Sequence, residues 1–281
     1  MRMGALTDIE RMAAGFSGTF GLYARHLTSG EVIEFNADES YPTASCIKVP
    51  ILIEVWKQAL EGRFSLEDPL ELTVENVTTG TGVLLDLTPG LKMSVRDVAL
   101  LMIVVSDNVA TNMLIDLVGL ENVNRTLRAM GFVSTELRGK IAWPVLDQDS
   151  YMLGISTPRE MGEIIARVAE ERVLTPAACW EMMSILGRQQ YTDMIGRRIP
   201  YSRYYRQRGM YQEALVASKS GGMPGVRNDI GLVTTDDASF VFAGMTKDCA
   251  DLRYGEINEA STLVASSARA VYDYFKTMLR G

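Results

Sequence analysis

Ser45 and Lys48 stand three residues apart in Ser45-Cys46-Ile47-Lys48, where an extended segment gives way to an apolar run through Ile51, Val55 and Trp56. On a helix this spacing puts a hydroxyl and an amine on one face, one turn apart and able to touch. Such a pair suits nucleophilic catalysis, with an amine of lowered basicity accepting the serine proton. A helix start also supplies free backbone N–H groups and the positive end of the helix dipole, which favour negative charge developing beside the nucleophile. Pro50 lies close enough to that start for its missing N–H to cost little. Two further polar clusters break apolar sequence. Ser106-Asp107-Asn108 separates two apolar helices, and Lys219-Ser220-Gly221-Gly222 lies on a predicted strand followed by a turn and Arg227.

The base must be found without histidine chemistry. His26, the only histidine, sits in the alternating segment Phe20–Leu27, which closes into a hairpin at Thr28-Ser29-Gly30. A lone strand histidine has no partners for a metal site, and it makes a Ser-His-Asp triad a poor reading. A hydrolase here takes its base from Lys, Asp, Glu or Tyr. Cys46, Cys179 and Cys249 show neither metal-ligand nor Cys-x-x-Cys spacing. Their odd number favours free thiols in a reducing compartment. No metal or other cofactor is expected.

The elements that must hold these groups can be read from pattern and punctuation. A helix is expected over Met1–Phe16, with Thr7 and Glu10 as a capping box and Ile9, Met12, Ala13 and Phe16 on one face. Strands follow at Phe20–Leu27 and Val32–Phe35, and three more at Leu215–Ser220, Asp229–Thr235 and Ser239–Met245, before a helix over Asn258–Leu279. Between them, Gly62 closes the Ile51–Leu60 helix, Ser94 with Asp97 opens another, and Thr157-Pro158 and Thr175-Pro176 read as helix starts. The expected architecture is α+β in one domain over residues 1–281. Residues 1–60 and 210–281 build a five-stranded antiparallel sheet flanked by the terminal helices, and residues 61–209 form an all-helical region beside it. A site belongs in the cleft between the two.

Bulk properties narrow the partners. A chain of 281 residues, 47% hydrophobic, can bury a substantial core. The net charge of −7, with both signs interspersed, leaves no broad cationic face for nucleic acid. The apolar run Val98–Val105 is far short of the ~20 residues a membrane span needs. No signal-peptide pattern opens the chain. A small-molecule substrate and a cytoplasmic location are expected, or a periplasmic or secreted one if a leader has been removed.

Taken in order, Ser-x-x-Lys, Ser-Asp-Asn and Lys-Ser-Gly are the motif set of class A β-lactamases and penicillin-binding proteins. The chain resembles that superfamily over nearly its whole length. Pro42–Pro50 is similar to the nucleophile segment and Val105–Asn112 to the middle loop, preceded by Gly82-Val83-Leu84 and Pro89-Gly90; Asn228-Asp229-Ile230 resembles the strand after the third motif. The resemblance implies a serine hydrolase acting on a lactam, amide or ester through an acyl-enzyme on Ser45. It makes Lys48 the base, kept neutral by burial and by Lys219, and Ser106 the relay to the leaving nitrogen. Backbone N–H groups of Ser45 and Gly222 form the oxyanion hole. Asn108 holds the substrate's side-chain amide, the catalytic Lys219 and Ser220 with Arg227 hold its carboxylate, Gly221 is a further substrate-binding position, and Asp107 braces the loop.

The departure from the pattern that bears most on function is a missing loop glutamate. Class A β-lactamases carry a loop glutamate that positions the deacylating water, and counting back from Thr157-Pro158 its place falls near Ile141 or Ala142. Asp147 and Asp149 are the nearby carboxylates. The resemblance therefore leaves three readings: a peptide, amide or ester hydrolase, a β-lactamase with an unconventional base or a D-Ala-D-Ala peptidase, and a penicillin-binding sensor or acyl-binding module with little turnover. The segment Tyr201–Tyr211 is longer than the family's approach to its third motif. Its tyrosines and arginines suggest a part in substrate choice.

Overall fold

A computed structural model describes residues 2–255 and 257–278 of the chain. Met1 and Leu279, at the ends of the two predicted terminal helices, lie outside them. Helix α1 (Arg2–Ala14) is followed by β1 (Thr19–His26), β2 (Val32–Phe35), β3 (Tyr41–Pro42), a 3-10 turn over Ala44–Ile47 and α2 (Lys48–Leu60). The middle of the chain carries α3 (Val95–Val104), α4 (Asn108–Val118), α5 (Leu120–Ala129), α6 (Trp143–Leu146), α7 (Pro158–Ala169), α8 (Pro176–Leu186) and α9 (Arg203–Gln207). Four short strands lie among them: β4 (Pro69–Glu71), β5 (Lys92–Ser94), β6 (Glu136–Leu137) and β7 (Gly154–Ser156). The chain ends with β8 (Ala214–Met223), β9 (Val226–Thr235), β10 (Ser239–Lys247) and α10 (Glu259–Met278).

The five predicted strands form one antiparallel sheet in the order β2-β1-β10-β9-β8. Period-two alternation gives each strand two apolar faces. Phe20, Leu22, Phe240 and Phe242 pack in one layer with Ile9 of α1 and Val264, Val271 and Phe275 of α10. Tyr23, Val241, Ala243 and Met245 point the other way, into a larger core shared with α2, α3, α4 and α7. The sheet is thus sandwiched between the terminal helices and the helical region. His26 is buried in the first layer, its ring centroid 5.4 Å from that of Phe275.

Three details differ from the sequence reading. Helix α1 begins at Arg2, so Thr7 lies inside it instead of capping it. Ala5 and Leu6 favour extension toward the N-terminus, and Ala5 is buried in the terminal-helix layer. The region from 61 to 209 is not wholly helical: β4 pairs with β5, and β3, β7 and β6 make a small sheet. Strands of two or three residues are too short for periodicity to register. Strands β8 and β9 run on to Met223 and from Val226 because Pro224-Gly225, with Gly225 at φ +71°, closes the hairpin tightly.

The predicted helix starts hold. Ser94, Thr157 and Thr175 each accept a hydrogen bond from the backbone N–H three residues on, with proline at the first helical position of α7 and α8. Strand β8 is the outer strand on the cleft side. Near its start, Arg206 of α9 donates to the carbonyls of Gly187 and, at 3.2 Å, Val216.

Candidate active site

Ser45 lies in the 3-10 turn that leads into α2, partly exposed at the seam between sheet and helical region. Asn228 of β9 pins the segment before it, donating to Pro42 O at 2.8 Å and Thr43 O at 3.2 Å. Strand β8 closes on the same turn, where a Cβ on Gly221 would stand 2.9 Å from Ser45 N, so only glycine allows the approach. Ala44 and Ser106 hold left-handed backbone, at φ 45° and 53°. For residues other than glycine this conformation is strained and persists only where the surroundings enforce it.

Lys48 is fully buried. Its Nζ donates to Ser106 O at 2.7 Å, Asn108 Oδ1 at 3.0 Å and Ser106 Oγ at 3.1 Å. Lys219 of β8, also buried, donates to Ser106 Oγ at 3.1 Å and to Ser220 O at 2.5 Å. The Ser106 hydroxyl therefore sits between two amines. The contact that spacing suggested between Lys48 and Ser45 is replaced by one to Ser106, because the left-handed turn at Ser106 offers the amine three acceptors on a facing element.

Electrostatics favour a neutral Lys48. Burial pushes its pKa well below the ordinary lysine value, and the Lys219 ammonium pushes it further, against the opposing pull of Asp107. Burial also lowers Lys219, to about 8, with Cys46 and Asp229 opposing. Asp229 beneath it is pushed up to about 7 by burial. Burial raises the Cys46 thiol, whose Sγ donates to Lys219 O at 3.3 Å, so it stays protonated next to the serine.

The middle turn is braced as its residues suggested. Asp107 caps α4 through Ala110 N at 3.0 Å, and its other oxygen accepts from Val83 N at 2.6 Å and Leu84 N at 2.9 Å. A Cβ on Gly82, at φ +116°, would collide with that carboxylate at 2.3 Å. The adjacent Thr81 donates to Ser106 O at 2.7 Å and faces the cleft.

Two cavities meet at Ser45. The larger, of about 470 Å³, is lined by Ser45, Thr81, Ser106, Ser220, Gly222 and Arg227 among others. The smaller, of about 160 Å³, lies toward Asn108 and is walled by Ile141, Trp143, Leu146, Leu153, Met223 and Tyr254. A serine, a lysine one turn on whose burial disfavours its charged form, and a hydroxyl bridging two amines make an arrangement suited to acyl transfer.

The sequence matches the model of the beta-lactamase enzyme family over residues 5–275. The chain belongs to the beta-lactamase enzyme family. It is a class A-like serine hydrolase with the β-lactamase and transpeptidase fold. Beta-lactamase VEB-1 of Pseudomonas aeruginosa is 20% identical to it over 279 residues, covering 95% of this chain and 89% of that enzyme. A β-lactamase from Sphaerobacter thermophilus is 28% identical with a TM-score of 0.83, over 98% of this chain and 97% of that one. PBP-A is 25% identical with a TM-score of 0.84, over 98% and 96% of the two chains.

Within this beta-lactamase-family chain, Ser45, Lys48, Ser106, Asn108, Lys219, Ser220, Gly221 and Gly222 converge on the seam. Asn108 already uses its side chain locally, with Oδ1 facing Lys48 and Nδ2 donating to Thr79 O at 3.0 Å. Arg227 lines the larger cavity, yet its guanidinium donates to the carbonyls of Met223 (2.6 Å), Val226 (2.7 Å) and Arg253 (2.6 Å). Asp147 and Asp149 are exposed and line neither cavity. Residues 201–211 line neither as well, and α9 lies against the start of β8. Thr81, Trp143 and Tyr254 are among the lining residues that motif reading missed, as is the run from Gln190 to Met194, which brings the Asp193 carboxylate to the larger cavity. Only Thr81 carried a signal, in the Gly80-x-Gly82 pair that frames it.

Proposed function

We propose that this chain forms an acyl-enzyme on Ser45 with a carboxylate-bearing amide or ester, a β-lactam or a D-Ala-D-Ala-like peptide, and that it releases a penicilloyl group slowly. Ser45 Oγ attacks the carbonyl while neutral Lys48 takes its proton. A neutral amine has two hydrogens, which Ser106 O and Asn108 Oδ1 accept. Its lone pair remains for the Ser45 proton when substrate binding draws the two groups together, and Ser106 Oγ, 3.1 Å from Nζ, passes that proton to the leaving nitrogen. The N–H groups of Ser45 and Gly222 receive the oxyanion, and Lys219 with Ser220 binds the carboxylate.

The observation that carries slow release is the wall of the smaller cavity. The loop after Leu137, where class A β-lactamases hold their deacylating glutamate, contributes Ile141, Trp143 and Leu146, and no carboxylate of the described residues lines the space. Asp149 accepts from Tyr151 N at 2.9 Å in a cap of its own. After attack on a lactam the leaving group stays tethered and obstructs water, whereas an ester or peptide releases it. Among similar proteins, a mutant of PBP-A is known as an acyl-enzyme complex with penicillin G. A second reading, a β-lactamase with full turnover, draws support from the Sphaerobacter enzyme, which is a β-lactamase.

Stopped-flow acylation by a penicillin, followed by intact-mass measurement of the decaying adduct, separates the two. The proposal expects an adduct on Ser45 that persists for minutes, and ester turnover exceeding lactam turnover for donors that acylate equally fast. Rapid, burst-free penicillin hydrolysis abolished by Asp147→Asn or Asp149→Asn would overturn it.

A further inference from the structure

Tyr254 lines both cavities, although it lies far along the chain in the loop between β10 and α10. The residue is 63% exposed overall, and its ring reaches within van der Waals range of the Gly222 position, 3.9 Å from where a Cβ would stand. One of its neighbours is a cation: the Arg227 guanidinium lies 4.2 Å from the ring centroid. Trp143 also lines the smaller cavity, its orientation set by an indole N–H bond to Thr79 O at 2.8 Å. A cavity of about 160 Å³ lined by an aromatic side chain from α6 and another from the β10–α10 loop, together with Ile141, Leu146, Leu153 and Met223, matches a flat apolar group.

The loop that presents Tyr254 is tied down on both sides. Asp251 accepts from Arg253 N at 3.1 Å, Arg253 Nε at 2.8 Å and Glu259 N at 2.9 Å. Arg253 O, one residue before the tyrosine, accepts from Asn258 Nδ2 at 2.9 Å and Arg227 Nη2 at 2.6 Å. Arg227 thus bonds the chain next to Tyr254 and packs on its ring. Its bonds to three backbone carbonyls are those of a strut between the β8–β9 hairpin and this loop.

The geometry points to Tyr254, together with Trp143 in the smaller cavity, as the residue that selects acyl donors carrying an aryl ring on the acyl side of the scissile bond, with Arg227 as its positioning residue. This inference rests on acylation of Ser45. In that step the Ser45 Oγ–carbonyl bond forms, the bond to the leaving group breaks, and the serine proton leaves with that group.

Phenylacetyl and acetyl thioesters of mercaptoacetate test it, since both release the same carboxylate-bearing thiol and differ only in the acyl group. The readout is the ratio of their second-order rates of Ser45 acylation, followed by intact mass. The native protein should prefer the phenylacetyl donor, and Tyr254→Ala should lower the ratio by about tenfold, the scale of one lost ring contact. Tyr254→Phe should keep the ratio, and Trp143→Ala should lower it. Arg227→Met should lower it as well, without a further drop when combined with Tyr254→Ala. A ratio unchanged by Tyr254→Ala, with both donors still acylating Ser45, overturns the inference and leaves the acyl-enzyme proposal standing. Failure of both donors to acylate the native protein overturns both. Equal loss of the two rates in Arg227→Met, at constant ratio, makes Arg227 a carboxylate ligand and overturns its supporting role.

Discussion

Removing the Lys219 ammonium should move the pH at which Ser45 becomes acylable. Both lysine Nζ atoms lie 3.1 Å from Ser106 Oγ, so they are separated by no more than twice that distance. Two like charges about 6 Å apart at an effective dielectric of about 20 repel by about 3 kcal/mol. That energy corresponds to about two pH units in the titration of Lys48. Its direction follows from charge: Lys219 favours neutral Lys48, so Lys219→Met raises the pKa of Lys48 and shifts the rising limb of acylation to higher pH. A neutral donor such as p-nitrophenyl acetate avoids the separate loss of carboxylate binding. Acylation rates measured from about pH 5 to about pH 10 should show the limb displaced by about two units in the variant. A limb that stays in place would show that burial alone keeps Lys48 neutral, refuting the role given to the second amine.

Three other outcomes follow from the same structure. Burial holds His26 below its usual 6.5, with Glu31 opposing, so the unfolded chain binds the proton more readily; stability should be full above that pH and fall below it, and His26→Phe should flatten the slope of Tm against pH. Asp107→Ala strands the N–H groups of Val83, Leu84 and Ala110, and urea unfolding should show a loss on the order of 3 kcal/mol; a loss under about 1 kcal/mol would count against the brace. Arg206→Ala should lower solubility, seen by light scattering, while the preference between anionic and neutral donors stays fixed; a changed preference would return Tyr201–Tyr211 to the cleft.

The nucleophile, its amine and the two other motifs were legible because each is a short run on one element, and the strands and helix caps followed from periodicity and punctuation. What escaped depends on separated segments meeting. Ser45 and Lys48 share a turn in sequence, but the amine faces Ser106, since the acceptors belong to a different element. Arg227 was readable as a cation near the third motif, whereas its direction is set by Arg253, a residue beyond the next strand. Trp143 opens the four-residue α6 and Tyr254 lies in a loop, both too short for periodicity, so nothing local marks them as lining one cavity. Asp147 and Asp149 could be noted as candidates from composition, yet their exposure depends on how α6 turns.

Strand β8 meets the cleft as the last strand of its sheet, so its outer backbone groups from Ser220 onward are not shared with another strand. An extended, peptide-like ligand can lie along them as a sixth strand, which gives recognition by main chain before any side chain is consulted. The same open edge invites a second protein molecule to do likewise. Arg206 limits that hazard by holding the Val216 carbonyl with its guanidinium. Beside Ser45 the edge opens on the cleft, whereas a long foreign strand running on toward Val216 meets an arginine.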